Sequence, residues 1–253
     1  MNDLVVAENI MLNDQYFLLK LTADTLLPDM YPGQFAEVKV EDSPSTFLRR
    51  PISINWVDRQ RNELWLLIQI VGQGTRKLSM LIPGDTLNLI YPLGNQFSYP
   101  PQKNARILLV GGGVGIAPML FWGSQLAAEG YMPNFLIGGR SAANLLLLDE
   151  FNKYGNVYVT TEDGSAGEKG FVTNHSVLSQ SFDAIYTCGP TPMMKAVAAY
   201  ATKEGVFCEV SLENTMACGF GACLCCVTDT VDGHLCVCTE GPVFNITKLK
   251  WQI

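Results

Sequence analysis

The chain has 253 residues, 48% of them apolar and 16% charged, which is enough for a sizeable buried core and excludes wholesale disorder. Its 17 Lys+Arg against 24 Asp+Glu leave a net charge of −7, a poor balance for general binding of nucleic acid or of an anionic membrane. Six of the eight cysteines fall between residues 218 and 238; a disulfide-stapled secreted protein would be smaller and would spread them, so the bunching points to metal.

In chain order, the N-terminus reads MNDLVVAENIMLNDQYF. It carries no basic leader, no long apolar run and no small-residue cleavage site, so no secretory signal is expected. Residues 4–10, 16–21, 34–40, 52–56, 63–71 and 86–91 read as short strands. Turn signals at Pro32-Gly33, Asp42-Ser43-Pro44, 58–62 and Pro83-Gly84 separate them. Short strands at this spacing suggest an antiparallel barrel over 1–101, with a short helix over 75–81. From residue 102 the rhythm changes. Strands at 106–110, 134–138, 157–161 and 184–187 alternate with helices running to about 129, over 144–153 and over 191–204. Buried, non-alternating strands between helices indicate a doubly wound parallel α/β domain over 102–206. Residues 107–128 lack any charge, but their glycines and Pro118 favour strand, loop and helix over a membrane span. A cytoplasmic location is expected, and it suits reduced cysteines. Residues 207–253 form a small cysteine-dense C-terminal unit.

Several segments carry chemistry. RILLVGGGVGIAPM sets Gly111, Gly112, Gly113 and Gly115 after a buried strand and before a helix. Glycines there let a backbone approach a pyrophosphate, and the helix start offers free N–H groups. The acid that a dinucleotide fold wants after its second strand is missing, for that strand ends Gly138-Gly139-Arg140. Glu162 and Asp163 follow the third strand instead. Cys188-Gly189-Pro190 also ends a strand and opens a helix; a buried small hydrophobe is the plain reading of Cys188 alone. In the first domain, Arg49-Arg50-Pro51-Ile52-Ser53 at a strand entrance offers a phosphate-binding arginine and a hydroxyl, with a solvated barrel rim as the plainer reading. Gly72-Gln73-Gly74-Thr75 opens a helix. Three such anion sites suggest two nucleotide cofactors.

Near the C-terminus, Cys218-x4-Cys223-x2-Cys226 followed by Cys238 has the spacing of a plant-type [2Fe–2S] site. Cys225 and Cys236 are bystanders in that reading. Zinc held by Cys223, Cys226 and two of His234, Cys236 and Cys238 is the alternative, and it leaves Cys218 unexplained. A Rieske centre needs two histidines on one iron, and only His234 is near. His175 and His234 read as ordinary surface or loop residues, and Cys208 is unassigned.

RPIS at 50–53, GQGT at 72–75, PGDTLNLIYPLGNQF at 83–97, GGGVGIAPM at 111–119 and CGPTPMM at 188–194 together resemble the ferredoxin–NAD(P) reductase superfamily. LENTMACGFGACLCCV and CVCTEGPVF resemble one branch of it, the electron-transfer subunits of class 1B dihydroorotate dehydrogenases. The resemblance spans essentially the whole chain. It implies an FAD-binding barrel over 1–101, an NAD-binding domain over 102–206 and a [2Fe–2S] domain over 207–253. By position it assigns Arg50, Pro51, Ile52, Ser53, Leu67, Ile68, Gln69, Gly74 and Thr75 to FAD. Ile52 stands where many relatives have Tyr, and Gln69 where a basic residue is common. Gly111 to Gly113, Gly115, Glu162, Asp163, Cys188, Gly189 and Pro190 fall to the nicotinamide nucleotide, and Cys218, Cys223, Cys226 and Cys238 to the cluster. Glu162-Asp163 would repel a 2′-phosphate and accept from a ribose hydroxyl, so NAD is expected rather than NADP.

NAD exchanges a hydride, flavin takes two electrons and releases one at a time, and the cluster carries one. The implied order is NAD–FAD–cluster. No acid–base catalytic residue is assigned; Cys188 is given a positioning role. The cluster has no further partner inside this chain, so a second protein is required. In the family it is an FMN-containing catalytic subunit that oxidises dihydroorotate, in a two-plus-two heterotetramer serving pyrimidine biosynthesis. The alternatives are the reductase subunit of another iron–sulfur flavoenzyme, of oxygenase or sulfhydrogenase type, and a zinc-bearing interaction domain.

Overall fold

The computed structural model describes residues 1–41, 43 and 45–251. Of the expected turn at 42–44, Asp42 and Pro44 lie outside the described residues. All six strands expected in the first domain form: β1 (Asn2–Asn13), β2 (Tyr16–Thr22), β3 (Phe35–Val38), β4 (Arg50–Asp58), β5 (Glu63–Gln69) and β6 (Thr86–Leu93). They close an antiparallel barrel in the order β1-β2-β5-β4-β3-β6. On β2, Phe17, Leu19 and Leu21 fill the barrel, while Tyr16 and Leu18 pack outward on the next domain. Both faces of that strand are buried, which is why it reads as an unbroken apolar run. The short helix α1 (Gln73–Leu78) begins a little earlier than expected, with Gly72 at its N-cap and the Thr75 hydroxyl accepting from the Val71 and Gly72 amides.

The second sheet contains β7 (Ile107–Gly112), β8 (Asn134–Gly139), β9 (Asn156–Thr161), β10 (Glu168–Lys169), β11 (Ala184–Cys188), β12 (Phe207–Ser211) and β15 (Val243–Asn245). Their order is β10-β9-β8-β7-β11-β12-β15. All pairs are parallel except β12 with β15. Helices α2 (Ile116–Ala128) and α4 (Thr191–Glu204) connect it. The helix expected over 144–153 shrinks to α3 (Leu148–Asn152), because Leu147 adopts φ +57° and interrupts it. The charge-free stretch 107–128 is β7, a tight turn and α2; no helix among the described residues is long and apolar enough to cross a membrane.

The expected boundary between residues 206 and 207 falls inside this sheet. β12 pairs with β11, and β15 closes the edge by returning from the C-terminal segment. What leaves the sheet is residues 212–242, carrying the hairpin β13 (Val227–Thr230) and β14 (Gly233–Cys236).

Barrel and sheet form one packed body. Phe97, just beyond β6, lies 6.0 Å from Trp122 of α2 and 5.6 Å from Tyr186 of β11, ring centroid to centroid, and all three are buried. The Tyr186 hydroxyl donates to the Ser98 carbonyl at 2.7 Å, so burial of the ring leaves no orphaned oxygen.

Candidate functional site

β7 has β8 on one side and β11 on the other, so the chain reverses its direction of travel across the sheet there. Ligands of open α/β sheets bind at the carboxyl ends of strands at such a switch point. A cavity of about 930 Å³ opens at that point, between the barrel and the ends of β7, β8 and β9. Tyr16 and Gln69 line it from the barrel, and Gly112, Gly113, Arg140 and Glu162 from the sheet. Gly115 has no room for a side chain: a Cβ there would sit 2.5 Å from the Cys188 carbonyl oxygen. That close approach seats the start of α2 against the end of β11.

The two expected acids part company. Glu162 lines the cavity. The Asp163 carboxylate instead turns to Ser165, taking its hydroxyl at 2.6 Å and its amide at 2.9 Å, and these bonds hold it below the usual carboxylate range. Pro190 lines the cavity, whereas Cys188 is fully buried behind the wall. The Cys188 thiol donates to the Glu213 carboxylate at 3.8 Å. Burial, and then the Glu213 charge, push that thiol well above its ordinary value. Glu213 itself faces the cavity, where burial raises its pKa and the bond from Cys188 offsets part of the rise. Sequence reasoning passed over Glu213; its signal was a lone acid between β12 and the first cluster cysteine.

On the barrel, Arg49 is committed to structure, its guanidinium donating to Asn88 and Glu37 carbonyls. Among the described residues Arg50 bonds the carbonyls of its own loop, Leu48 at 2.9 Å and Arg49 at 3.2 Å. A Cβ on Gly74 would lie 3.2 Å from the Arg50 Nε, so the helix start and the guanidinium make one cradle that only glycine leaves open. That cradle suits a pyrophosphate. Leu67 and Ile68 are buried with their side chains in two different cores and pair with β2, while the β4 pairing stops at Leu66, so a ligand could meet their backbone on that side; Gln69 reaches the cavity. Pro51, Ile52 and Ser53 lie on β4, paired with Glu37, Ala36 and Phe35 of β3.

The cysteines gather in two groups. The Cys218 sulfur takes hydrogen bonds from the Phe220, Cys223 and Ala222 amides and from the Cys223 thiol; burial pushes its pKa up, but these bonds outweigh it and bring the value down to about 6. Cys226 and Cys238 are both buried, and the Cys238 amide donates to the Cys226 sulfur at 3.4 Å. The Gly221 amide donates to the Cys238 sulfur at 3.1 Å. Burial and then the Cys226 thiol push Cys238 up to about 12. Cys225 is exposed, and Cys236 shares a hydrogen bond with Cys226. Among the described residues no group of three or more His, Cys, Asp or Glu side chains is arranged to hold a single ion. Paired thiols with amides aimed at sulfur are the donor set of a compact anionic cluster.

Residues 213–250 match the family described as the iron–sulfur cluster binding domain of dihydroorotate dehydrogenase B, and residues 109–199 the oxidoreductase NAD-binding domain. The chain is 36% identical over 256 residues to the dihydroorotate dehydrogenase B (NAD(+)) electron transfer subunit of Fusobacterium nucleatum, covering 98% of both chains. It is 41% identical over 228 residues to that of Lysinibacillus sphaericus, covering 87% of both. Its structure is similar to that of an NADH-dependent reduced ferredoxin-NADP oxidoreductase, with TM-score 0.88, 28% identity, and 99% of this chain and 91% of the other covered. It shares its fold with the cytochrome b5 reductase domain of Ulva prolifera nitrate reductase, with TM-score 0.68, 18% identity, and 81% and 93% covered. With the nucleotide cavity, the cysteine segment and relatives matched end to end in agreement, the chain belongs to the family of dihydroorotate dehydrogenase B electron transfer subunits.

Proposed function

We propose that this chain passes electrons from an FMN-containing dihydroorotate dehydrogenase catalytic subunit, through a [2Fe–2S] cluster and FAD, to NAD+. The assembly is two catalytic plus two electron-transfer subunits in the cytoplasm. The observation that carries the reading is one of adjacency. The cysteine loop packs on β3 at Glu37, and Glu37 pairs with Pro51 of the flavin motif strand, whose barrel also walls the nucleotide cavity.

In this reading Arg50 and Gly74 hold the flavin pyrophosphate, with Thr75 fixing the helix start. Pro51, Ile52, Ser53 and the backbone of Leu67 to Gln69 border the ring system. Gly112, Gly113 and Pro190 receive the nicotinamide nucleotide, Gly111, Gly115 and Gly189 allow the close packing of β7, α2 and β11 that shapes its site, and Glu162 accepts from its ribose. Asp163 shapes the turn. Cys218, Cys223, Cys226 and Cys238 hold the cluster. FAD and the cluster supply the conversion between a hydride and single electrons. The protein's own task is to hold the reacting groups at contact distance and keep water out. Tyr16, almost fully buried where the barrel meets the cavity, serves that exclusion.

Reconstitution with the catalytic subunit tests the proposal: dihydroorotate-dependent NAD+ reduction is expected, with iron, acid-labile sulfide and flavin bound. Full cofactor loading without that activity would sink it. The end-to-end likeness to the ferredoxin-NADP oxidoreductase favours, as a second reading, the reductase unit of another iron–sulfur flavoenzyme. The partner that co-purifies with the chain separates the two.

A further inference from the structure

Among the described residues the cysteine segment touches the barrel at Glu37 and at a second seam, whose residues lie outside those assigned to a cofactor. It is made by Gly94 and Asn95, just after β6. The Asn95 side-chain amide donates to the Thr239 carbonyl at 3.0 Å and to the Glu240 carbonyl at 2.9 Å. Its backbone amide donates to the Gly241 carbonyl at 2.7 Å. One residue thus satisfies three consecutive carbonyls more than 140 positions away. The first of the three follows Cys238 directly, and Thr239 also sits against the cysteine loop, where a Cβ on Gly221 would lie 3.0 Å from its methyl. On the barrel side, the Gln34 side chain donates to the Gly94 carbonyl at 3.0 Å, so the clasp is anchored at both ends. Gly94 is itself fitted: its φ is +76°, and a Cβ would meet Pro242 at 2.5 Å. At the first seam, a Cβ on Gly219 would lie 2.5 Å from the Glu37 Cγ. The cysteine loop therefore has no slack against the barrel at either seam.

We propose that Asn95 is a positioning residue for electron transfer: by clasping Thr239 to Gly241 it fixes the cluster loop against the flavin barrel and so sets the separation and orientation of the two redox groups. The inference rests on the cofactor assignment above. Asn95 is exposed, so its removal opens no hole in a core. It lies outside the residues assigned to either cofactor. Its effect belongs to the step between flavin and cluster and leaves the step between nucleotide and flavin untouched.

The test uses the full chain with both cofactors bound, reduced by NADH in stopped flow, with flavin and cluster absorbance followed separately. In Asn95→Ala, flavin reduction should keep its wild-type rate, while cluster bleaching slows several-fold, because electron transfer falls exponentially as the two redox groups move apart. Asn95→Asp has the same shape but turns the side-chain donors into acceptors facing carbonyls. It should be as slow as Ala, and a wild-type rate in Asp would refute the hydrogen-bonding role. Gly94→Ala, which presses on Pro242 with Asn95 intact, should show the same selective loss. Spin coupling between the flavin radical and the reduced cluster should weaken in all three. Equal bleaching in wild type and Asn95→Ala would overturn the inference and leave the cofactor assignment standing. Loss of iron in the variants would overturn it in favour of cluster retention. A wild-type cluster that NADH never bleaches would instead overturn the assignment itself.

Discussion

Glu37 lies on β3 with no exposed surface, and among the described residues neither of its carboxylate oxygens has a hydrogen-bond partner. Burial raises its pKa from 4.5 to about 7, with the Arg49 charge offsetting part of the rise. The sign follows from which state holds the proton. Below pH 4.5 both the folded and the unfolded chain keep it, and the shift costs nothing. Between 4.5 and 7 the unfolded chain ionises while the folded one does not, so stability falls as pH rises. Above 7 both are ionised, and the full penalty, about 3 kcal/mol, is in place. Glu37→Gln keeps the shape and removes the titration. The variant should therefore gain about 2 kcal/mol relative to wild type between pH 5 and pH 8. Other raised acids such as Glu209 and Glu213 titrate in both proteins and cancel in the difference. Denaturant unfolding at pH 5, 6, 7 and 8, with cofactor content held equal, measures it. A stability difference that stays flat across that range would refute the reasoning.

Cys223→Ser should lose the cluster while Cys225→Ser retains it; iron and sulfide analysis decides, and equal content in the two variants contradicts the ligand choice. Glu162→Gln should weaken NAD(H) binding about tenfold, the scale of one hydrogen bond to a charged group, and relax rejection of NADP(H), whereas Asp163→Asn leaves the coenzyme dissociation constant near wild type. Gly115→Ala should destabilise the protein by about 1–3 kcal/mol, because its methyl would meet the Cys188 carbonyl, and a thermal melt reads the loss.

Where local chemistry decides, the sequence was readable. α4 has the bounds expected of it because Pro192 stands in its first turn and Gly205, at φ +65°, ends it. The barrel strands are marked by turns on either side. The short strands β12 and β15 escaped because β12 pairs with β11 across a whole helix and β15 is placed by β12 alone rather than by any pattern of its own. Leu147 gave no sign that it would stop a helix. Among site residues, the glycine and cysteine motifs announced themselves through spacing. Glu37 and Glu213 did not, since a single acid in an apolar run becomes informative only once the fold shows it buried or facing a cavity. Asp163 looked equivalent to Glu162 in sequence, and only the bond to Ser165 separates them.

The return of the chain as β15 makes the cysteine segment an insertion between neighbouring strands of a sheet rather than a tail. Both its ends are pinned about 5 Å apart, one strand spacing. A single proteolytic cut within residues 212–242 would leave both fragments docked, and the nick would show on a denaturing gel before the chain came apart. Cutting away everything after residue 240 would do more than remove one edge of the segment. It would bare β12 by stripping Glu209, Val210 and Ser211 of their β15 partners, and such an edge invites sheet-to-sheet aggregation. The same short strand that brings the redox segment home also keeps the nucleotide-binding sheet from sticking to its neighbours.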